Sequence, residues 1–508
     1  MKNHSLLILG LLAGFAFDSG GANFQRLSRE ELRDKIRGAW AGQMIGVSYG
    51  APTEFHAQSK TFDAEIKPDS LSNAIRQDDL YVEMTFARVM DTKGLNAAPA
   101  DYGLAFRDSK YSLWHANANA RRNLARGIMP PLSGSPLYNL HADDIDFQIE
   151  ADFIGIMCPG LPRVSNHYCS RVGQVMNYGD GLYGGMFVCG MYTAAYFERD
   201  PRRIVEAGLG CLPVKSSYAA LIRDVLTFSQ ENPADWRATW SKVEQKWNKN
   251  DPCPDGALTP FNIDAKLNGA YIAIGLLHGG GDLRRTMEVS TRCGQDSDCN
   301  PSSAAGIIGA IIGYRAIPAE YQSELDKLAA TRFEFTEYSF SDIVQSTEKR
   351  TLQVIKDAGG KVSGTEVLIP HQAPKAAKLQ QANFGTPFKV MAASDPTWQW
   401  KGNWTAAGDS RVSDGAGQEV VLRFQGTGIA IVGNCTQDGG LAHVYLDGRL
   451  QKLAADAYIP DRTYDNDLWH RNDLRPGDHT LRLVTRADSN PRSRGKKLSI
   501  TKAIVYRR

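Results

Sequence analysis

The sequence predicts an all-α domain followed by a C-terminal β-sandwich, and its apolar pattern changes character between the two. From about Leu27 to Arg350 the apolar residues recur at helical spacing, and strictly alternating patterns are few. After Thr386, β-branched runs are separated by turns such as Asp447-Gly448, which is typical of a sandwich of about 120 residues. The length of 508 residues also exceeds that of an average single domain.

The helical domain is expected over residues 23–358. Its first segment, EELRDKIRGAWAGQMIGVSYG, has acidic residues before basic ones and places Leu32, Ile36 and Met44 at helical spacing. A second segment, RQDDLYVEMTFARVMDTKG, ends on Gly94, which predicts a helix stop. A third, SAAGIIGAIIGY, contains so many small residues that another helix can approach it closely.

The N-terminus, MKNHSLLILGLLAGFAF, begins with a short polar stretch and continues with apolar residues from Leu6 to Phe17. This run is too short to span a bilayer, and small residues follow it at Ser19 to Ala22. The pattern predicts a signal peptide over residues 1–22, and hence a secreted or periplasmic protein without a membrane span. The alternative is a buried N-terminal helix.

Residues 359–385 are rich in Gly, Pro, Ala and Gln, which predicts a linker. The sandwich then covers residues 386–508. Its segments GTGIAIVG, VYLDG and LRPGDHTLRL resemble galactose-binding-like jelly-roll modules of secreted carbohydrate enzymes, which implies a carbohydrate-binding-like role. Trp398, Trp400 and Trp404 could stack on sugars, although tryptophans of a sandwich are more often buried.

The overall composition is that of an ordinary globular protein, with 42% hydrophobic and 22% charged residues. The net charge is only +2 and the sequence has no basic run, so nucleic acid is not expected as a partner. The eight cysteines permit disulfides in an exported protein, but no C-x-x-C pair favours a zinc ribbon or a thioredoxin-like site.

Two pairs of aspartates precede apolar helices, Asp78 with Asp79 and Asp296 with Asp298. Carboxylates at the edge of a core need a compensating cation, because unpaired buried charges are costly. Two such helix starts facing each other would form a site of hard oxygen ligands, which suits Mg²⁺ or Ca²⁺ better than zinc. The alternative is that both pairs are surface residues that cap their helices.

Three segments, KIRGAWAGQMIGVSYGAPTEF, QDDLYVEM and CGQDSDCNPSSAAGIIGAIIGYRAIP, resemble the signatures of the ADP-ribosylglycohydrolase family, in the right order. The resemblance implies an all-α catalytic domain with a dinuclear magnesium site. It also implies that Glu54 lies near the metals and the scissile bond as the catalytic acid or base, with helix capping as the alternative role.

The resemblance implies further that Asp298 bridges two metal ions. Two positions depart from the family pattern, because Gln77 and Cys299 stand where the family has Thr. A thiol is a poor partner for Mg²⁺, so Ca²⁺ or Mn²⁺ remain alternatives to two Mg²⁺ ions. The metal-binding residues implied in this way are Gln77, Asp78, Asp79, Asp296, Asp298 and Cys299.

The segment NYGDGLYGGMF places Asn177, Asp180 and Tyr183 among glycines, which predicts a flexible polar loop that lines a substrate pocket. Asp146 and Glu150 lie four residues apart and favour either a solvated helical face or a role in substrate binding.

Together these features predict a secreted, metal-dependent glycoside hydrolase that acts on a sugar, a glycan or another ribosylated small molecule or glycoconjugate, with a furanoside as one option. One alternative is an ADP-ribosyl-acceptor hydrolase that releases ADP-ribose. The other is a sugar-binding protein that has lost catalysis.

Overall fold

Helices occupy most of the chain between Arg29 and Asp357 in this computed structural model, which describes residues 23–249, 251–460 and 464–508. The predicted signal peptide lies outside the described residues. Short 3₁₀ helices lie at Ala51–Thr53, Leu71–Arg76, Gly173–Val175 and Tyr314–Ala316. The α-helices are α1 Arg29–Gly50, α2 Asp78–Lys93, α3 Pro99–Arg107, α4 His115–Ala125, α5 Asp146–Ile149, α6 Asp152–Ile156, α7 Pro162–Val172, α8 Asp180–Ala195, α9 Pro201–Gly210, α10 Ser217–Glu231, α11 Trp236–Trp247, α12 Ala265–Gly279, α13 Leu283–Arg292, α14 Cys299–Ile312, α15 Ala319–Leu328 and α16 Phe340–Asp357.

Local sequence fixes where many of these helices begin. Ser and Asp residues stand at the N-caps, and their side-chain oxygens accept hydrogen bonds from backbone N–H groups of the first turn. Proline at the first helical position starts α7 and α9, where its missing N–H costs nothing. The capping residues of this kind include Ser28, Ser216, Asp235, Asp264, Asp282 and Ser339.

Helices α1 and α14 pack against each other more closely than large side chains would allow. Glycines recur every fourth residue along α1, and a Cβ atom at any of them would lie within about 2.4 Å of the α14 segment. At Gly50 that atom would be 2.1 Å from the Ser297 carbonyl oxygen and 2.5 Å from the Asp298 Cα. The predicted close approach is therefore confirmed, and it holds the end of α1 against the start of α14.

A small antiparallel sheet ties the two ends of the helical domain together. Its strands are β1 Phe24–Ser28, β2 Lys361–Val362 and β3 Glu366–Pro370, in the order β1-β3-β2. Phe24 pairs with Pro370 and Ser28 pairs with Glu366. The stretch expected to be a linker thus contributes two strands to this sheet.

The C-terminal region is built from antiparallel sheets, as predicted. One sheet has the order β11-β10-β14-β8-β5, with β12 beside β10, a second has the order β13-β9-β16-β4, and a third has the order β15-β7-β6. The strands are β4 Thr386–Ala392, β5 Trp398–Lys401, β6 Thr405–Ala407, β7 Ser410–Ser413, β8 Glu419–Gly426, β9 Gly428–Cys435, β10 Gly440–Leu446, β11 Arg449–Leu450, β12 Ala455–Asp456, β13 Tyr464–Arg471, β14 Gly477–Ser489, β15 Leu498–Ile500 and β16 Lys502–Arg507.

The first two of these sheets share one apolar core, to which β8, β14, β9 and β16 all contribute. Alternate residues of β8 point into this core, as the period of a half-buried strand requires. Trp398 is buried in the core, and its ring stacks on that of Trp400 with 5.3 Å between centroids. Trp400 and Trp404 are half-buried.

The helical domain and the sandwich share an interface that is both apolar and charged. Arg122 donates hydrogen bonds to the Asp467 and Asp456 carbonyl oxygens at 3.0 and 2.6 Å, and Arg126 forms an ion pair with the Asp456 carboxylate at 2.7 Å. A separate apolar cluster joins Leu140, Ala142 and Ala257 to Ala430, Val432, Ile504 and Tyr506. Within the described residues, none of the helices combines the length and apolarity needed to cross a membrane.

Candidate metal centre and cleft

Glu54 lies just after α1, beside the loop that precedes α14. The Phe55 N–H donates to the Gln295 carbonyl at 2.9 Å, and the Gln295 N–H donates to the Ala57 carbonyl at 2.8 Å. Gln295 has a φ of 54°, a conformation that non-glycine residues rarely adopt and that these bonds support. The two segments are thereby held side by side, which places Glu54 next to the D-x-D segment.

The structure brings the two predicted aspartate pairs together. The Cys299 thiol donates to the Asp79 Oδ2 at 3.3 Å, which connects α2 to the start of α14. Carboxylate oxygens of Asp296 and Asp298 and the Cys299 sulfur all lie within 4.8 Å of one another. Asp298 also caps α14, since its Oδ1 accepts from the Cys299 N–H at 2.9 Å. Four residues, called the cleft acids below, therefore converge: Asp78, Asp79, Asp296 and Asp298.

The cleft acids repel one another, and their pKa values show it. Burial, followed by the charges of Asp78 and Asp298, raises the pKa of Asp79 well above its ordinary value. Burial, followed by Asp298 and Glu54, does the same to the pKa of Asp296. The pKa of Asp78 rises to about 6, chiefly through loss of hydration and then through Asp298.

Glu54 belongs to the same electrostatic group, although solvent reaches its side chain. Partial loss of hydration, and then the carboxylates of Asp298 and Asp78, raise the pKa of Glu54 to about 8. Within the described part of the chain, neither Glu54 nor any cleft acid forms an ion pair with Lys, Arg or His.

The buried oxygen atoms of this group fit a divalent cation. Asp79 Oδ1 and Asp296 Oδ1 are buried and have no hydrogen-bond partner among the described residues. Such atoms are costly unless a ligand satisfies them. Carboxylate oxygens are the donors that Mg²⁺, Ca²⁺ and Mn²⁺ prefer, so the cleft acids could hold one or two hard cations.

A cleft of about 220 Å³ opens over Glu54, Asp78 and Asp296, and Gln77 and Cys299 also line it. Its volume lies below that of most drug-sized ligand pockets, so it suits a group of the size of a sugar ring. The remaining wall is partly aromatic. The cleft is completed by Phe55, Arg76, Tyr81, Trp114, His115, Asn117, Ile145, Asp146, Ile149 and Ile263.

Asn177, Asp180 and Tyr183 do not line this cleft, and they do not form the predicted flexible loop. The segment from Asp180 onward is helix α8. The Asn177 amide is buried, donates to the Ala142 and Asp144 carbonyls and accepts from the Phe147 N–H. Because its small residues pack against other helices, the glycine-rich sequence forms a buried helix here and not a loop.

The other two predicted substrate-binding residues also contact the protein itself. Asp180 accepts hydrogen bonds from the Ser217 hydroxyl and the Tyr218 N–H. The Tyr183 hydroxyl donates to the Lys378 carbonyl at 3.0 Å, and Tyr183 is fully buried.

The cleft contains residues that the sequence patterns did not single out as site residues, His115 and Asn117 among them. Asp146, which was left open, lies in the cleft wall and accepts from the Ala116 and Asn117 N–H groups at 3.2 and 2.9 Å. The solvated face proposed for Asp146 and Glu150 is wrong, because both are buried. The apolar residues on either side of these acids were the available signal of burial.

A comparison with protein-family models assigns the helical domain to a known family. A family model described as ADP-ribosylglycohydrolase matches residues 28–352. A search of curated proteins found no match.

Among solved structures, an ADP-ribosylglycohydrolase-related protein complex is 15% identical, with a TM-score of 0.40, and the alignment covers 64% of this chain and 99% of that one. A family 35 carbohydrate binding module from Clostridium thermocellum is 11% identical, with a TM-score of 0.18, over 24% of this chain and 99% of that one. These TM-scores are too low to carry a functional argument.

Proposed function

Because the chain belongs to the ADP-ribosylglycohydrolase family, we propose that it is an exported, metal-dependent glycoside hydrolase that cleaves a glycosidic bond of a sugar or glycan. The observation that carries this proposal is the convergence of the cleft acids, which include two buried carboxylate oxygens without a hydrogen-bond partner in the described chain. A cation would compensate these charges, and the cleft above them has room for a sugar ring.

In this proposal Asp78, Asp79, Asp296 and Asp298 hold two Mg²⁺ ions, and the Gln77 amide oxygen is available at the cleft. Bound ions of this kind orient neighbouring sugar hydroxyls and make a water molecule more acidic. A furanoside with two cis hydroxyls suits such a pair of cations. Cys299 belongs to the same proposed metal site, since its thiol donates to Asp79 and its sulfur lies within 4.8 Å of carboxylate oxygens of Asp296 and Asp298.

Glu54 is the proposed general base or acid. Its carboxyl lies in the cleft, where it can accept a proton from a water molecule that attacks the sugar. Burial, and then repulsion from Asp298 and Asp78, favours its protonated form, and neutralisation of these acids by cations would lower its pKa. Glu54 can therefore exchange a proton near neutral pH.

The aromatic part of the wall supports a sugar substrate. Trp114, which is 40% exposed, and Tyr81 both line the cleft, so aromatic rings form part of the surface that a bound sugar would contact. Export rests on the signal peptide predicted for residues 1–22.

The test is an assay of reducing-sugar release from a panel of glycans, run beside ADP-ribose release from arginine-linked and serine-linked peptides. We expect sugar release that requires Mg²⁺ and that EDTA abolishes. Asp298→Asn should lower kcat by about 10³-fold, since loss of metal stabilisation removes several kcal/mol. Glu54→Gln should lower kcat by about 10²–10⁴-fold and retain Mg²⁺ binding.

The matched control is Asp357→Asn, which changes an exposed acid at the end of α16 and should leave activity unchanged. Release of ADP-ribose alone would select the ADP-ribosyl-acceptor hydrolase. Glycan binding without release of either product would select the sugar-binding protein. Activity that survives EDTA and Asp298→Asn would contradict the role of the cleft acids.

A further inference from the structure

A second group of metal-ligand side chains lies beside the cleft, and the proposed glycosidase does not use it. Nitrogen atoms of His115 and His141 and a carboxylate oxygen of Asp144 lie within 4.8 Å of one another. Oxygen atoms of Asp144 and Asp251 and the Cys253 sulfur satisfy the same limit. Asp144 belongs to both sets, so the five residues form one group, called the histidine–cysteine cluster here.

Asp144 is the centre of this cluster and lacks compensation. It is fully buried, its Oδ2 lies 2.7 Å from the His141 Nδ1 and 3.9 Å from the His115 Nδ1, and its Oδ1 has no hydrogen-bond partner in the described residues. A buried carboxylate oxygen without a partner is costly. A cation that binds Asp144 would remove that cost.

The charges around Asp144 are mostly of its own sign. Burial, followed by the charges of Asp251, Asp143, Asp146 and Asp255, raises its pKa well above the ordinary value. His115 lies on one side of Asp144, and its Nδ1 is 3.2 Å from a carboxylate oxygen of Asp255. The buried acids outnumber the histidines, so this region, like the cleft acids, is electrostatically suited to an added cation.

We propose that Asp144, Cys253, His115 and His141 bind a zinc ion, with Asp251 as a further carboxylate ligand. Thiolate and imidazole ligands together select zinc, whereas the cleft acids are hard oxygen ligands with one thiol, Cys299, and no imidazole in their set. Zinc–ligand bonds of about 2.0–2.3 Å in a tetrahedron place ligand atoms roughly 3.3–3.8 Å apart. Within each of the two sets that share Asp144, the ligand atoms already lie within 4.8 Å of one another, and the proposed ion would draw both sets together around Asp144. On binding, the Cys253 thiol loses its proton to solvent, and the sulfur bonds to the zinc as thiolate.

Such a zinc ion would join three separate segments at one cleft wall. His115 starts α4 and lines the cleft, and its φ of 42° is a strained conformation for a non-glycine residue. The segment that carries Asp251 and Cys253 contacts the sandwich, since the Tyr506 hydroxyl donates to the Pro252 carbonyl at 2.8 Å. The ion would therefore fix the cleft wall and the sandwich contact together.

The test is the zinc content of the full chain, produced in zinc-supplemented medium and dialysed against excess Mg²⁺. Elemental analysis should find about one zinc ion per chain. An anomalous difference map, from data on both sides of the zinc absorption edge, should place the peak among His115, Asp144 and Cys253. This map needs no variant, so the proposal stays testable even if a variant fails to fold.

Cys253→Ser and Asp144→Asn should each lose most of the zinc. Two matched controls should retain it. Cys435→Ser removes another fully buried cysteine, in the sandwich, and Asp298→Asn disables the cleft acids. The proposal would be overturned if the parent protein bound no zinc or if Cys253→Ser bound as much zinc as the parent. It would also be overturned if the anomalous peak lay only at the cleft acids. None of these results depends on glycosidase activity.

Discussion

The cleft and the interface between the two domains both bury carboxylates, but they compensate them differently. At the interface, burial alone would raise the pKa of Asp467, yet the hydrogen bond and charge of His470, with Arg122 beyond, lower it. At the cleft, burial raises the pKa of Asp296, and the charges of Asp298 and Glu54 raise it further. Among the described residues, basic side chains therefore compensate the acid at the interface, whereas none of the cleft acids forms an ion pair with a basic side chain.

This difference separates structure from function. Acids that the chain neutralises by itself hold two domains together and need no ligand. Acids that it leaves opposed to one another need either bound protons or an external cation, and the need for a cation when they are ionised is the reason to assign the cleft a metal-dependent role.

The largest expected effect on stability concerns the compensated region. Arg122→Ala should lower the free energy of unfolding by about 3–5 kcal/mol, because it leaves the backbone carbonyls of Asp456 and Asp467 unsatisfied and removes a positive charge that compensates the buried Asp467 carboxylate. Denaturant titration, with probes in both domains, would measure it. Arg315→Ala is the control, since its pair with Glu30 is solvent-exposed and its loss should change the free energy of unfolding little. Equal effects of the two variants would contradict the contrast drawn above.

The next effect tests the uncompensated region through Mg²⁺ and pH. The folded-state pKa values of Asp78, near 6, and of Asp79 and Asp296 exceed their unfolded values. The folded protein therefore holds extra protons, and without metal its stability falls as pH rises from about 4 through these raised values. Mg²⁺ replaces the protons, so it should stabilise more at pH 8 than at pH 5.5.

At saturating Mg²⁺, about 100 times its Kd, the gain at pH 8 should be about 2.7 kcal/mol. Thermal unfolding at both pH values, with Mg²⁺ or EDTA, would measure it. Asp298→Asn should lose most of the difference. A gain that is the same at both pH values would argue against Mg²⁺ binding at these acids.

Much of this architecture follows from short-range patterns. Helical periodicity and N-caps predicted the helical domain, and the small residues of α14 predicted its close neighbour. The two aspartate pairs were recognisable because each precedes an apolar helix. Which buried acids are compensated by basic side chains could not be predicted in this way. Arg122 and Asp467 are 345 residues apart, and their contact exists only in the folded chain.

Tyr183 illustrates the limit of local patterns. Its setting among glycines suggested a flexible pocket loop, whereas packing of those glycines against neighbouring side chains produces a buried helix. Composition alone does not distinguish the two outcomes, because small residues serve both mobile loops and tight helix contacts.

The smallest expected change in stability therefore comes from Tyr183→Phe. This variant removes a hydroxyl that belongs neither to the cleft nor to the interface between the domains. Its hydroxyl bonds the Lys378 carbonyl and not the cleft, so the variant should lose about 1 kcal/mol of stability and leave KM and Mg²⁺ affinity unchanged. Denaturant titration and substrate kinetics on the same preparation would measure both. Tyr81→Phe is the matched comparison, because it removes a tyrosine hydroxyl from a ring in the cleft wall. If KM increased as much for Tyr183→Phe as for Tyr81→Phe, or more, the substrate would bind near α8. The assignment of the substrate site to the cleft would then be wrong.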